Sequence, residues 1–286
     1  MIKIMQRFSA FHPLPSFLYL LSAICITMFS RSIIVAAVSI AAALLFSISL
    51  RALKSVWLYL LVFLLTAITN PIFSHNGVTV LFFLNGNPVT LEAFVYGAYL
   101  GAMISAVLLW FSCYNAVISS DKFLSLFGAV MPKAALIVSM ALRLVPQFIS
   151  GGREMIEIHN SISPVKSGVL SKVKKYISVF SCLISRSLEG AVEQSDSMKA
   201  RGYGFRKRVS YSRFLFRFSD ALFLVITVSG FVYLVFFSGI LNYNYYTEMD
   251  SISFDISYVF CTLYFLIPVL INLWGEIKWK YSISRI

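Results

Sequence analysis

The sequence predicts an all-α membrane protein with about six transmembrane helices and a basic region of amphipathic helices between the fourth and fifth spans. The 286-residue chain is 59% hydrophobic, and its mean hydropathy is +0.82. Only 13% of its residues are charged, whereas about 25% is usual in soluble domains. Charge is also segregated, because 16 of the 24 Lys and Arg fall between residues 121 and 218. A soluble core of this size cannot hide so much apolar surface, so lipid must surround most of the chain.

Six long apolar runs form the predicted spans, four before the basic region and two after it. They are Leu14–Ser30, Ser32–Leu50, Val56–Phe73, Leu91–Ile118, Ala221–Leu241 and Ile256–Leu273. Each has at least the roughly 17 residues that a helix needs to cross the hydrocarbon. Residues 74–90 hold Gly, Asn and Pro around an apolar patch, and they predict a loop with an interfacial or re-entrant segment. The predicted organisation is therefore an N-terminal transmembrane region (1–118), a middle region (119–218) and a C-terminal transmembrane region (219–286).

Loop charges predict the orientation of these spans. Residues 74–90 contain no Lys or Arg, and residues 242–255 contain none either but hold three acids. The basic segments fall on the other side of the membrane, which the positive-inside rule assigns to the cytoplasm together with both termini. Arg31 is the exception, and a single arginine can extend to the outer interface. Nucleic-acid binding is another interpretation of the net charge of +12, but segregation by loop favours a membrane protein without a nucleic-acid partner.

Recognisable catalytic and metal-binding patterns are missing from the sequence. The four cysteines are isolated, the three histidines are scattered, and no Walker, GxSxG or HExxH pattern occurs. We therefore predict no enzymatic activity, no metal site and no cofactor. A self-sufficient channel or secondary transporter is one alternative, but it would normally carry ionisable residues within its spans. A membrane enzyme is another, and it would need a convergent cluster of acid, base or metal ligands.

The middle region predicts two amphipathic helical segments. Pro132 suits a first helical turn, and apolar residues then recur every three or four positions from Leu136. Pro146 is expected to kink this helix, and Gly151-Gly152 to weaken it. These helices are too apolar to stay bare, so they require the membrane face or a partner protein.

The second segment is predicted from about Val169 to Ile184, with a continuation through Ser187–Lys199 that Gly202 ends. Arg201 then lies at a helix C-terminus, where the helix dipole favours a cation. Such an arginine can pair with a carboxylate in a partner groove. A solvated capping arginine is the alternative.

The fourth span contains a small-residue pair, Gly97 and Gly101, at GxxxG spacing. Small residues four apart let two helix backbones approach closely in lipid. The pair predicts a packing seam, either to a helix of a partner subunit or to a helix of the same chain.

The order of short motifs resembles the transmembrane T component of energy-coupling factor (ECF) transporters over nearly the whole chain. The motifs that carry the resemblance are Phe11–Leu14, Asn70–Gly77, Asn87–Ala93, Pro132-Lys133, Ala141–Pro146 and Ser195–Gly204. The fifth of these is similar to the Arg-x-x-Pro coupling helix of the family, through Arg143 and Pro146. The last matches the second Ala-Arg-Gly motif, through Ala200, Arg201 and Gly202. The sequence departs from the family at Ile158–Ser163, where a first such motif would contain Arg and Gly.

This resemblance implies a scaffold that transmits movement in an ABC-type importer. Two separate ATPase subunits would dock on the coupling helices, with Ala200, Arg201 and Gly202 as docking residues and Arg143 and Pro146 as coupling elements. The movement would reach a membrane-embedded S component, which binds and releases a vitamin or a cobalt or nickel ion. The implied location is the cell membrane of a prokaryote. The departure at Ile158–Ser163 implies that one ATPase docks through apolar contacts, or that the two ATPase sites differ.

Overall fold

The computed structural model describes residues 8, 11–50, 56–74, 79–84, 87–162, 168–205, 216–237 and 256–283. Within these residues the chain forms nine helices and one β-hairpin, so the fold is the predicted all-α membrane protein. Two compact units are distinguished by their internal contacts: a bundle unit (1–123 and 214–286) and a helical unit (124–213). Several predicted features lie outside the described residues, namely the loops 51–55 and 242–255, residues 75–78, Ser163 and most of the basic segment before the fifth span.

The described elements are numbered in the order in which they occur along the chain. In chain order they are α1 (Pro13–Phe29), α2 (Ile33–Leu50), α3 (Val56–Phe73), β1 (Val80–Leu84), β2 (Asn87–Thr90), α4 (Leu91–Val117), α5 (Ser120–Val130), α6 (Pro132–Ile162), α7 (Val169–Ala200), α8 (Phe218–Val232) and α9 (Ile256–Ile283). A π-helical turn, Tyr233–Phe237, extends α8.

Six helices of the described chain are long and apolar enough to cross a membrane: α2, α3, α4, α6, α8 with its π-helical turn, and α9. Five of them coincide with predicted spans. The predicted first span forms α1, whose 17 residues extend about 26 Å, slightly less than the hydrocarbon thickness of about 30 Å. Helix α1 still belongs to the bundle, because it packs on α4 and α8 and its Tyr19 and Leu20 are fully buried.

The sixth apolar helix, α6, was predicted as an amphipathic helix outside the bilayer rather than as a span. Five of its polar residues lie on one stripe at alternating spacings of four and three: Arg143, Gln147, Ser150, Glu154 and Glu157. No described residue of α6 is buried, so in a membrane its exposed charged residues Arg143, Arg153 and Glu157 would face lipid. Charged side chains in hydrocarbon are costly, and we therefore infer that α6 does not cross the bilayer.

Aromatic side chains and interhelical hydrogen bonds hold the bundle together. Trp110 of α4 is fully buried, its ring lies 5.9 Å from that of Phe265, and its Nε1–H donates to Ser39 Oγ of α2 at 2.9 Å. Tyr19 of α1 donates its hydroxyl to the Tyr264 carbonyl of α9 at 2.9 Å. Small polar groups that join helices in this way are typical of membrane bundles, where lipid offers no alternative partner.

The segment predicted as a loop with an interfacial piece contains a two-stranded antiparallel hairpin, in which Val80 pairs with Thr90. Thr90 caps α4, because its side chain accepts from Ala93 N–H at 3.3 Å. Glu92, in the first turn, is buried and accepts from Thr79 N–H at 3.1 Å and from Thr79 O–H at 2.8 Å. Polar contacts to the helix start, which the apolar pattern cannot reveal, therefore fix this hairpin.

The GxxxG pair packs within the chain. A Cβ atom placed on Gly97 would lie 2.9 Å from the Ala67 carbonyl oxygen, and one on Gly101 would lie 2.7 Å from the Phe63 carbonyl oxygen. Both glycines therefore allow the backbone of α4 to approach that of α3. Of the two predicted roles for the pair, the structure shows the intramolecular seam.

Candidate partner-docking surface

Helices α6 and α7 form an antiparallel hairpin in the helical unit. Met155 Sδ lies 3.8 Å from Cys182 Sγ, and Asn160 accepts a hydrogen bond from Lys175. The residue number therefore rises along α6 as it falls along α7. The two predicted motifs, Ala141–Pro146 and Ser195–Gly204, lie about 55 residues apart in the sequence. Because the helices are antiparallel, residues next to both motifs lie at the same end of the hairpin.

Helix α6 continues without interruption through Pro146 and Gly151-Gly152, where a kink and a weak point were predicted. Pro146 has no N–H to donate to the preceding turn. The Ser150 hydroxyl lies 3.1 Å from both the Pro146 and the Gln147 carbonyl oxygens and donates there. The side chain of Leu183 of α7 packs against the two glycines. Its methyl groups would lie 3.6 and 3.5 Å from Cβ atoms placed on Gly151 and Gly152. They are a close-packing point between the helices.

From this packing point the two helices diverge and enclose a groove of about 750 Å³. Apolar side chains of both helices line it: Met140, Leu144 and Phe148 of α6, and Leu183, Ala191 and Met198 of α7. Glu154, Arg186 and Gln194 are also present at its walls. A concave apolar surface with a few charged groups is suited to the apolar side chains of a partner.

Helix α7 ends in a Schellman motif, which fixes the geometry of the predicted Ala-Arg-Gly segment. Gly202 N–H donates to the Lys199 carbonyl at 2.9 Å, and Tyr203 N–H donates to the Met198 carbonyl at 3.0 Å. Gly202 adopts a φ of +82°, a left-handed value that L side chains rarely take. Tyr203 and Met198 also both line the groove, as the apolar contact of this motif requires. The predicted end of the helix at Gly202 is therefore confirmed, and two backbone hydrogen bonds close it.

Arg201 occupies the capping position of this motif, with a φ of −79° and a ψ of 6°. Its side chain is exposed, as is that of Ala200, the last helical residue. An ion pair lies just before it, between Lys199 and Asp196 at 3.4 Å. A guanidinium on a rigid helix end, next to a small residue, is presented to solvent in a way that suits a planar carboxylate partner.

The other predicted elements lie near the groove but outside its lining. Arg143 and Pro146 are exposed on α6, whereas their neighbours Leu144 and Gln147 line the groove. The hairpin therefore brings the two motifs to one groove through neighbouring residues, and it leaves both arginines free to contact something outside the unit.

The segment that departs from the family pattern forms the last turn of α6. Ser161 donates its hydroxyl to the Glu157 carbonyl at 3.0 Å, and the helix ends at Ile162. Both Ile158 and Ile162 are exposed. This helix end therefore presents apolar side chains, in contrast to the arginine at the end of α7.

A buried carboxylate organises the bundle where the chain returns from the helical unit. Asp220, in the first turn of α8, accepts from His12 N–H at 3.2 Å and from Arg217 N–H at 2.9 Å. The residue is almost fully buried, and both hydrogen bonds are charge-assisted. Asp220 thus joins the start of α1 to the start of α8. The sequence did not single it out, although an acid three residues after a helix start is a capping pattern.

A lysine marks the end of the fourth span. Lys122 of α5 donates to the Val117 carbonyl, the last residue of α4, at 2.9 Å. Burial lowers the pKa of Lys122 because desolvation disfavours the charged amine. A cation at a helix C-terminus is favoured by the dipole, which offsets part of this desolvation.

Comparison with known protein families finds no match for this chain, and comparison with curated proteins finds none either.

Proposed function

We propose that this chain is the transmembrane scaffold and coupling subunit of an ECF-type ABC importer for a micronutrient, a vitamin or a metal ion. The observation that carries the proposal is the helical unit itself. It presents an exposed arginine on a rigid helix end beside an apolar groove, and it buries almost none of its own apolar side chains. Such a unit is built for contacts with other proteins or lipid.

In this proposal the partners bind different parts of the helical unit. The end of α7 carries Ala200, Arg201 and Gly202, and it docks one ATPase subunit by pairing the guanidinium with carboxylates. The apolar end of α6, near Ile158, docks the second ATPase subunit through apolar contacts. The S component contacts the apolar residues of α6 near Arg143 and Pro146. Movement of the ATPase subunits reaches the S component through two long unbroken helices, which can transmit displacement as rigid elements.

The described residues support a scaffold better than a solute pathway. No group of three or more His, Cys, Asp or Glu that could hold a metal occurs among them. The two buried acids of the described bundle, Glu92 and Asp220, both lie in the first turn of a helix and accept backbone hydrogen bonds. A self-sufficient channel or secondary transporter, the alternative function, places ionisable residues deep within its spans.

The test of the proposal is co-purification from native membranes, with the native chain compared with Arg201→Ala. The native chain is expected to retain two ATPase subunits and a small membrane protein. Loss of Arg201 strands the partner carboxylates, and truncating one partner of such a buried pair costs about 2–5 kcal/mol. Arg201→Ala should therefore lose ATPase association and uptake, and Arg201→Lys should recover only part, because a point charge lacks the planar fork.

The matched control is Arg153→Ala, which removes an exposed arginine from α6 outside both motifs. It should assemble like the native chain. Full assembly and uptake by Arg201→Ala would reduce the motif to a helix cap and contradict the docking role. ATP hydrolysis by the chain purified alone would contradict the scaffold function, because the sequence has no phosphate-binding loop.

The proposed location is the plasma membrane of a prokaryote, with both termini in the cytoplasm. An Asn244→Cys substitution should react with an impermeant thiol reagent from outside intact cells, and Lys207→Cys should not. The opposite labelling pattern would reverse the orientation.

A further inference from the structure

The first half of α7 carries an apolar stripe that α6 does not cover. Its members recur at spacings of three and four, and all are exposed: Leu170, Val173, Ile177, Phe180 and Ile184. Leu170 is 88% exposed and Phe180 is 64% exposed. Residues at this spacing share one helix face, and from Leu170 to Ile184 that face extends about 21 Å.

Helix α6 contacts another side of α7. The contacts are made by Lys175, Cys182 and Leu183, and Val179, which shares their side, is the one buried residue of the described helical unit, at 7% exposure. Formation of the hairpin therefore leaves the stripe bare.

The charges around the stripe are of one sign. From Val169 to Leu188 the helix holds four basic residues and no acid, whereas Glu189, Glu193 and Asp196 follow in the next eight residues. Lys172 and Lys174 flank the stripe, and Lys175 is hydrogen-bonded to Asn160. On the facing helix, Glu154 lines the groove, and Glu157 is exposed three residues before Asn160, the partner of Lys175. The apolar stripe therefore lies within a basic half of the helix.

We propose that this basic half of α7, Val169–Ile184, binds the surface of an anionic lipid bilayer. The apolar stripe inserts at the boundary between headgroups and acyl chains, and Lys172 and Lys174 extend to lipid phosphates. Tyr176, which is exposed beside the stripe, has the amphipathic ring that favours this depth. The basic sign matches anionic headgroups.

The consequence is that lipid charge controls the position of one half of α7. The acidic half, which ends at Arg201, has no such attraction and stays available to proteins. This inference does not depend on the proposed importer function, because it concerns the chain and lipid alone.

The experiment measures the depth of a spin label in nanodiscs that contain the full-length chain without partner subunits. A label at Ile177→Cys, with the native cysteines replaced by serine, is compared in phosphatidylcholine alone and in phosphatidylcholine mixed with phosphatidylglycerol. The anionic lipid should raise the accessibility of the label to oxygen and lower its accessibility to a water-soluble nickel complex. High salt should reverse the change, because it screens the attraction.

A second site and a charge variant make the test specific. A label at Val192→Cys, an exposed apolar site in the acidic half, should not respond to phosphatidylglycerol. Lys172→Gln with Lys174→Gln should weaken insertion of the Ile177 label about 25-fold, about fivefold for each lysine. The matched control is Lys199→Gln, which should leave insertion unchanged.

The proposal is overturned if the label at Ile177 gives the same accessibilities in both lipids. It is also overturned if the double lysine variant responds like the native chain. Shielding of Ile177 that appears only after partner proteins are added would assign the stripe to a protein interface instead. Normal gel-filtration profiles of every variant would exclude misfolding as the cause of a lost response.

Discussion

The bundle and the helical unit use apolar residues in opposite ways. In the bundle, large side chains such as Trp110, Tyr19 and Phe46 are fully buried against one another. In the described helical unit Val179 is the single buried residue, although α6 and α7 carry many large apolar side chains. The bundle is stabilised by burial of apolar side chains within the chain itself. A unit with exposed apolar faces gains this stability only when another molecule covers those faces. The difference indicates that the helical unit, and not the bundle, needs another protein or lipid to cover its apolar side chains.

The largest effect should come from the bundle core. Trp110→Ala removes a fully buried ring and the hydrogen bond to Ser39, and it should lower the free energy of unfolding by about 3–5 kcal/mol. Phe180→Ala in the helical unit removes a side chain that is mostly in contact with solvent. Its effect on the purified chain should be close to zero. Thermal denaturation in detergent, followed by gel filtration, measures both, and equal losses would contradict the contrast between the two regions.

Substitution of glycine by alanine should have opposite effects on stability in the bundle and in the helical unit, and these effects should be the next largest. A methyl group at Gly101 would lie 2.7 Å from the Phe63 carbonyl oxygen, so Gly101→Ala forces α3 and α4 apart and should cost about 1–3 kcal/mol. Gly190 of α7 has nothing within 4 Å of its added Cβ. Gly190→Ala should instead stabilise α7 by about 0.5–1 kcal/mol, because alanine loses less entropy in a helix. The same denaturation assay applies, and a neutral Gly101→Ala would show that the seam can relax.

Asp220→Ala tests the polar junction of the bundle. It leaves the His12 and Arg217 N–H groups without their charged acceptor, and such a loss costs about 1–3 kcal/mol. Amide hydrogen exchange at residues 12–16 and 217–221 should rise, while exchange in α7 should stay unchanged. Unaltered exchange at His12 would mean that another group holds the start of α1.

Gly202→Ala should give a smaller and local effect at the end of α7. An alanine at a φ of +82° costs about 1–2 kcal/mol, so the Schellman motif should open and the last turn should fray. Hydrogen exchange at Gly202 and Tyr203 should become faster while the bundle keeps its melting temperature. If exchange there does not change, the terminal hydrogen bonds survive without glycine, and the position of Arg201 does not depend on it.

Continuous apolar runs were sufficient to predict five of the six long apolar helices of the described chain. The predicted third span and α3 have the same bounds, and α2 begins one residue after the prediction. The predicted fourth span, Leu91–Ile118, differs from α4 by one residue at its end. A long apolar run has few solutions in lipid other than a helix, so local composition determines these elements.

The sequence was less informative where strand pairing or helix packing determines the local structure. Residues 74–90 were predicted as a loop with an interfacial or re-entrant segment, but Val80–Leu84 and Asn87–Thr90 pair as two strands beside the Thr79 and Glu92 contacts. Gly151-Gly152 was predicted only as a weak point of a helix, and the packing of Leu183 against it was not foreseen. In both cases the deciding partner lies elsewhere along the chain, and local propensity does not contain it.

By itself the sequence determined the membrane class, the spans, the segregation of charge and the end of α7 at Gly202. Each depends on short-range rules: apolar length, loop charge, and the need for glycine at a left-handed φ. Only the tertiary structure decided the antiparallel register of α6 and α7, the groove between them, the choice of α3 as the partner of the GxxxG pair, and the burial of Asp220. These features depend on which distant side chains meet, and that is fixed by packing geometry rather than by any local pattern.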